Sequence, residues 1–200
     1  DLIIEAILEK LEAKQELLKK LAAINSAETI FATNTSSIPI TRIAKDIPHP
    51  SRIVGMHFFN PAHIRKLVEV ISGIESSAEV TEGIKSITIK IGKTPIICKD
   101  SPGFIVNRVA RHYYVESLKM LEEKIASHET IDALMESAGF KMGPFKLMDY
   151  VGNDINFAVT SSLYESFHQE AKFRPSRIQQ QKVDGGHLGK KTGKGFYSYE

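Results

Sequence analysis

Along the first half of the chain, short apolar runs alternate with amphipathic stretches. Residues 2–7 begin with Leu2, Ile3 and Ile4, a run suited to a buried strand. Over 8–23, Leu8, Leu11, Leu18 and Leu21 recur at helical spacing and Glu16 lies four residues before Lys20, which predicts a helix. The β-branched stretch 29–33 predicts a second strand, a short helix follows Pro39, and Ile53–Phe58 predicts a third strand. Residues 67–71 predict a fourth strand, 79–91 a helix and 94–98 a fifth strand. Short strands separated by helices indicate an α/β sheet with helices on its faces.

After Asp100 the pattern becomes helical. Ser101-Pro102 reads as a helix start, serine as cap and proline at the first helical position. Helices are expected over 103–123, 128–138, 143–150, 153–170 and 176–184, punctuated at Gly139, Gly143-Pro144, Gly152 and Gly185-Gly186. The expected fold class is therefore α/β: a partial Rossmann-like, doubly wound sheet over 1–98, followed by an all-helical domain over 99–200.

Composition narrows the function classes. Lysine and arginine number 26 against 24 aspartates and glutamates, so no charge excess points to nucleic acid or an acidic membrane. No apolar run has the length of a membrane span. A single cysteine, Cys98, excludes an internal disulfide framework and suits a reducing compartment, with a cytoplasmic or mitochondrial-matrix setting expected. Cys98 itself reads as a small buried strand residue.

Two polar clusters fall at strand carboxyl ends, where open α/β sheets gather ligands: Asn34-Thr35-Ser36-Ser37, and His57 with Phe58-Phe59-Asn60-Pro61. Alone, the first reads as a turn or cap and the histidine as a hydrogen-bonded structural residue. Glu69 changes that balance, because an unpaired carboxylate in Leu67-Val68-Glu69-Val70-Ile71 would be costly to bury. Either it is exposed on one sheet face or it has a partner, and an imidazole held by a carboxylate is what an alcohol-oxidising general base requires.

Several ordered blocks resemble the 3-hydroxyacyl-CoA dehydrogenase family. They are Ala32-Thr33-Asn34-Thr35-Ser36-Ser37, Gly55-Met56-His57-Phe58-Phe59-Asn60-Pro61, Lys66-Leu67-Val68-Glu69-Val70, and Lys99-Asp100-Ser101-Pro102-Gly103-Phe104-Ile105-Val106-Asn107-Arg108. Gly143-Pro144-Phe145, Asp149-Tyr150-Val151-Gly152 and Gly189-Lys190-Lys191-Thr192-Gly193 follow in the same order. The resemblance implies NAD-dependent oxidation of an L-3-hydroxyacyl-CoA to the 3-oxoacyl thioester, in fatty-acid β-oxidation or butanoate-type metabolism. It implies His57 as base, Glu69 as its orienting acid, Ser36 at the substrate oxygen, and Asn107 as the amide that places the reacting carbonyl and histidine. Cofactor contacts are implied at Ala6, Glu9, Lys14, Ser36, Asn60 and Lys191, although Glu9 and Lys14 otherwise read as ordinary solvated helix charges. No metal is implied, and a homodimer through the helical domain is.

The sequence departs from the family pattern in one respect: no G-x-G-x-x-G turn and no ribose-binding acid precede these blocks. The chain opening, Asp1-Leu2-Ile3-Ile4, reads as a start inside a domain, and the isolated 200-residue chain is expected to bind NAD weakly and lack activity. A dehydrogenase of a small hydroxy acid or sugar acid and a non-catalytic dimerisation fragment remain alternatives. A further local departure is the polar His63-Ile64-Arg65.

Overall fold

The computed structural model describes residues 1–200, which form two compact units, Asp1–Ile105 and Val106–Glu200. In the first, five strands lie in the order β1 (Leu2–Glu5), β2 (Ile30–Thr33), β3 (Ile53–Phe58), β4 (Leu67–Ser72) and β5 (Thr94–Lys99). All neighbours are parallel except β3 and β4. The reason lies in chain length: residues 59–66 are too few for the crossover of a dozen or more that a parallel pair needs.

Alternation along the strands divides the core. Phe31, Ile53 and Ile71 face one side with Leu18 of α1 (Leu11–Ile24) and with Ile40 and Ile43 of α2 (Ile40–Ala44). Their neighbours Ala32, Val54 and Val70 face the other, against Ile84 of α3 (Ala78–Lys90), whose first turn Ser77 caps by accepting from Val80 N. The doubly wound arrangement follows directly from this period of two. Gly55 is required by α2, because a Cβ there would lie 2.8 Å from both Ile40 Cδ1 and Ile71 Cδ1.

The second unit packs α4 (Val106–Glu122), α5 (His128–Ser137), α6 (Pro144–Val151), α7 (Asn153–Ser166) and α8 (Arg177–Asp184). Tyr114, Leu118, Ile131, Phe145, Met148 and Phe196 form its core. Two buried carboxylates organise it. Asp132 of α5 accepts from Phe145 N and Lys146 N, satisfying orphan donors at the start of α6, and from Tyr197 Oη. Asp149 of α6 accepts from Phe196 N, Tyr197 N and Tyr199 Oη, fastening the final segment of the chain. Two glycines of this segment have a reason: a Cβ on Gly189 would run into the Asp149 backbone, and one on Gly195 into the Asp149 carboxylate.

Several boundaries differ from those expected. The first strand ends at Glu5 instead of residue 7, because the Glu5 carboxylate accepts from Ile7 N at 2.6 Å and folds the chain back. Leu8 consequently lies before α1 and is 65% exposed, outside the helical stripe assigned to it. Ser101-Pro102 does not begin a helix. Gly103 and Phe104 take left-handed φ values of 72° and 49°, Phe104 enters the sheet core, and α4 starts at Val106. That loop also holds the first unit's end: Asp100 Oδ2 accepts from Thr41 N, and the unit runs to Ile105. Helix α7 stops at Ser166, short of 170, where His168 and Gln169 adopt left-handed φ and turn the chain so that Phe167 stacks on Phe173.

Candidate active site

The carboxyl ends of β1, β2 and β3 share one end of the sheet, since these strands are parallel. At β1, Glu5 is buried and fully engaged, accepting from Thr33 Oγ1 at 2.6 Å and from Lys14 Nζ at 2.8 Å. Lys14 is 0% exposed, which overturns its reading as a solvated helix charge. Its ammonium is enclosed by Glu5, by the Ile7 carbonyl at 3.4 Å and by Glu9 Oε2 at 3.3 Å. A buried lysine persists only with such partners.

Glu9 joins this pair to β2. Its Oε1 accepts from Thr35 Oγ1 at 2.7 Å, Ser36 N at 2.8 Å and Ser37 N at 3.2 Å, with both serine hydroxyls at 3.3 Å. Burial alone would raise the Glu9 pKa. The Thr35 and Ser36 hydrogen bonds, together with Lys14, outweigh it and hold the carboxyl below the ordinary range. The Asn34-Thr35-Ser36-Ser37 turn is thus pinned from two sides, because Asn34 Oδ1 also accepts from Phe58 N of β3 at 2.8 Å. Ala6 and Asn60 are exposed beside these strand ends.

His57 on β3 and Glu69 on β4 are direct partners in the antiparallel register. His57 Nδ1 lies 2.8 Å from Glu69 Oε2, with 6% and 0% of the residues exposed respectively. The second glutamate oxygen accepts from Ile105 N at 2.9 Å, so the loop that displaced the expected helix start now orients the acid. An ionised carboxylate only accepts, which places the imidazole proton on Nδ1 and leaves Nε2 as the basic nitrogen. Phe59 and Phe104 flank the ring, with centroids at 4.5 and 5.9 Å. Such walls exclude water and leave one lone pair available for a proton.

Asn107 and Lys191 belong to the second unit. Asn107 is the second residue of α4, and its carbonyl accepts from Arg111 Nε. Lys191 follows Gly189 in a short 3-10 turn and pairs with Asp154 at 2.7 Å. The first unit therefore brings together His57 with Glu69, and Glu9 and Lys14 with Ser36. Sequence reasoning missed Glu5; its one signal was a carboxylate ending the apolar run Leu2-Ile3-Ile4 at the ligand end of a strand. It also missed Arg111, whose burial nothing in the local sequence announces.

A largely parallel sheet wound on both faces, with an imidazole–carboxylate pair beside its strand ends, is an α/β unit of the doubly wound class, whose members gather ligands at that end of the sheet. Comparison with known proteins gives the lineage. Residues 1–101 match the family model of the 3-hydroxyacyl-CoA dehydrogenase NAD binding domain, and residues 103–199 match that family's C-terminal domain. The chain belongs to the 3-hydroxyacyl-CoA dehydrogenase family. It is 52% identical over 200 residues to a 3-hydroxyadipyl-CoA dehydrogenase of Escherichia coli, covering all of this chain and 42% of that protein. It is 43% identical to the mitochondrial hydroxyacyl-coenzyme A dehydrogenase of Sus scrofa, covering 64% of that protein. A crystal structure of (S)-3-hydroxybutyryl-CoA dehydrogenase from Ralstonia eutropha superposes with a TM-score of 0.96 at 39% identity, covering all of this chain and 71% of that one. The chain thus spans less than two thirds of the length of the first two relatives.

The donor set suits the nicotinamide end of a dinucleotide. A carboxamide's N–H groups need acceptors, and the Glu9 carboxylate with the Ser36 and Ser37 hydroxyl oxygens bonded to it supplies them at this strand end.

Proposed function

We propose that the protein carrying this chain oxidises the 3-hydroxyl of a 3-hydroxyacyl-CoA to a ketone, with NAD as the other reactant. The observation that carries this reading is the 2.8 Å His57 Nδ1–Glu69 Oε2 pair on adjacent strands. When bound, NAD supplies the hydride acceptor. His57 Nε2 takes the hydroxyl proton as the carbon–hydrogen bond breaks, and Glu69 supports the imidazolium that forms. Ser36, held by Glu9, bonds the substrate oxygen, while the buried Lys14 and Glu5 keep Glu9 in place. Asn107 keeps the role the resemblance implies, placing the reacting carbonyl. Ala6, Asn60 and Lys191 remain cofactor contacts of this proposal on the same ground.

Association of two copies through the helical unit belongs to the same reading. It is supported by apolar side chains exposed on that unit, among them Val109, Leu134 and Tyr150 at 66%, 61% and 58%. Light scattering of the purified protein tests it.

The activity is tested with the natural full-length protein, NAD and 3-hydroxybutyryl-CoA, following absorbance of the reduced nicotinamide. Turnover of the thioester but not of free 3-hydroxybutyrate, lost in His57→Gln, is the expected result. Preference for the free acid would replace this function with that of a hydroxy-acid dehydrogenase.

A further inference from the structure

Residues 59–66 join β3 to β4, the two strands that carry His57 and Glu69. Residues 60–66 are all exposed, with Ile64 at 64%, so the connection is not held by burial of its own side chains. The polar His63-Ile64-Arg65 stretch lies in a single helical turn, in which the Pro61 carbonyl accepts from Ile64 N and Arg65 N, both at 3.0 Å. One isolated turn is unstable by itself and leaves its last carbonyls without helical partners. Lys93 supplies the missing donors. Its Nζ donates to the Ala62 carbonyl and, at 2.9 Å, to the Arg65 carbonyl. The adjacent Thr94 N donates to the Lys66 carbonyl at 2.8 Å. Lys93 reaches the turn because β4 and β5 are parallel with Leu67 opposite Thr94, which sets the residues preceding both strands side by side. Its own backbone is fixed as well. Gly92 takes a left-handed φ of 76° beyond the end of α3, and Lys93 N donates to the Thr88 carbonyl at 3.1 Å.

Phe59 and Asn60 stand between this turn and His57 in the chain. Phe59 walls the imidazole at 4.5 Å, and Asn60 is exposed beside the strand ends. On the strand side, Asn34 Oδ1 holds Phe58 N at 2.8 Å; on the turn side, Lys93 is the anchor. We propose that Lys93 is a positioning residue for the oxidation: by fixing the turn after Pro61, it keeps Phe59 against His57 and Asn60 at the strand ends. The inference rests on the dehydrogenase reading above. Lys93 bonds to neither His57 nor Glu69 and acts through the segment that joins their strands. A displacement of about 1 Å transmitted to reacting groups can cost about 100-fold in rate, so such a support reaches the chemistry without touching it. Lysine suits the task, since its ammonium carries three donors on a flexible stem and can serve two carbonyls at once. Methionine keeps a stem of similar shape and donates nothing, whereas arginine retains both charge and donors.

The test compares the natural full-length protein with its Lys93→Met and Lys93→Arg variants, using NAD and 3-hydroxybutyryl-CoA. Lys93→Met is expected to lower kcat by about 10-fold or more while the thioester KM changes less than about threefold. Lys93→Arg should restore kcat to within about threefold of wild type. A second readout needs neither substrate nor NAD. The Phe59 ring current displaces the His57 ring-proton resonances, and in Lys93→Met these should move toward the positions of a free histidine, whereas Lys93→Arg should leave them in place. If Lys93→Met does not fold, Lys93→Gln, whose amide nitrogen can serve at most one carbonyl well, carries the same comparison. A folded variant with wild-type kcat and unmoved His57 resonances overturns the proposal, even if it melts at lower temperature, because Lys93 would then be structural only. A fall in kcat without movement of the His57 resonances overturns it too. Moved resonances in a protein whose wild type oxidises no thioester support the anchoring of Phe59 and refute the dehydrogenase reading alone.

Discussion

His57 and Glu69 are cross-strand partners in the β3–β4 ladder, and their side chains meet at 2.8 Å on the sheet face that also receives Phe104. Because strand residues alternate between faces, a register shift of one residue would separate them. The carboxylate holds the imidazole in the tautomer that bares Nε2 and stabilises its protonated form. Glu69→Gln preserves the shape and removes that support. In the full-length protein it should lower kcat by about 100-fold or more while changing KM far less, because proton removal belongs to the transition state. Steady-state kinetics of the variant check this, and an effect confined to KM would contradict the role.

The Glu5–Lys14 pair makes a prediction about stability. Both groups are buried, so removing one leaves the other charge stranded. Lys14→Met should destabilise the sheet unit by about 3–5 kcal/mol. Pairing it with Glu5→Gln should recover most of that loss. Urea unfolding of the single and double variants measures the coupling, and additive losses would show that the pair does not act as a unit.

Cys98 offers a pH-dependent readout. Burial, with the Glu69 and Asp100 charges adding to it, pushes the thiol from 9.0 up to about 12. The raised value favours the neutral thiol in the fold. This contribution to stability is full below about pH 9 and lost as pH rises toward 12. At pH 8 the thiolate fraction should be about 1000-fold smaller folded than unfolded, since each pKa unit is a factor of ten. Timed alkylation with and without urea measures the ratio; equal rates would rule out the shift.

Two glycines should respond oppositely to alanine. Gly83 lies within α3 with nothing near its absent Cβ, so Gly83→Ala should stabilise by about 0.5–1 kcal/mol through helix propensity and unfolded-state entropy. Gly195→Ala would drive a methyl into the Asp149 carboxylate and loosen the bonds that fasten Phe196, Tyr197 and Tyr199. It should destabilise by about 2–4 kcal/mol. Thermal melts of the two variants provide the comparison, and a shift of the same sign in both would contradict it.

Local pattern determined much of this protein. Short apolar and β-branched runs specified five strands, helical spacing specified the helices between and after them, and the isolated carboxylate in Leu67-Val68-Glu69-Val70-Ile71 called for a partner or an exposed face. Those features depend on neighbours within a few residues, where spacing alone decides which side chains share a face. The antiparallel register that selected His57 as that partner, the Phe104 turn that aims Ile105 N at Glu69, and the enclosure of Lys14 came only with tertiary structure. So did the burial of Arg111 beside neutral acceptors. Each joins groups remote in sequence. Whether a charge there is solvated or buried depends on which elements pack over it, and no local periodicity encodes that.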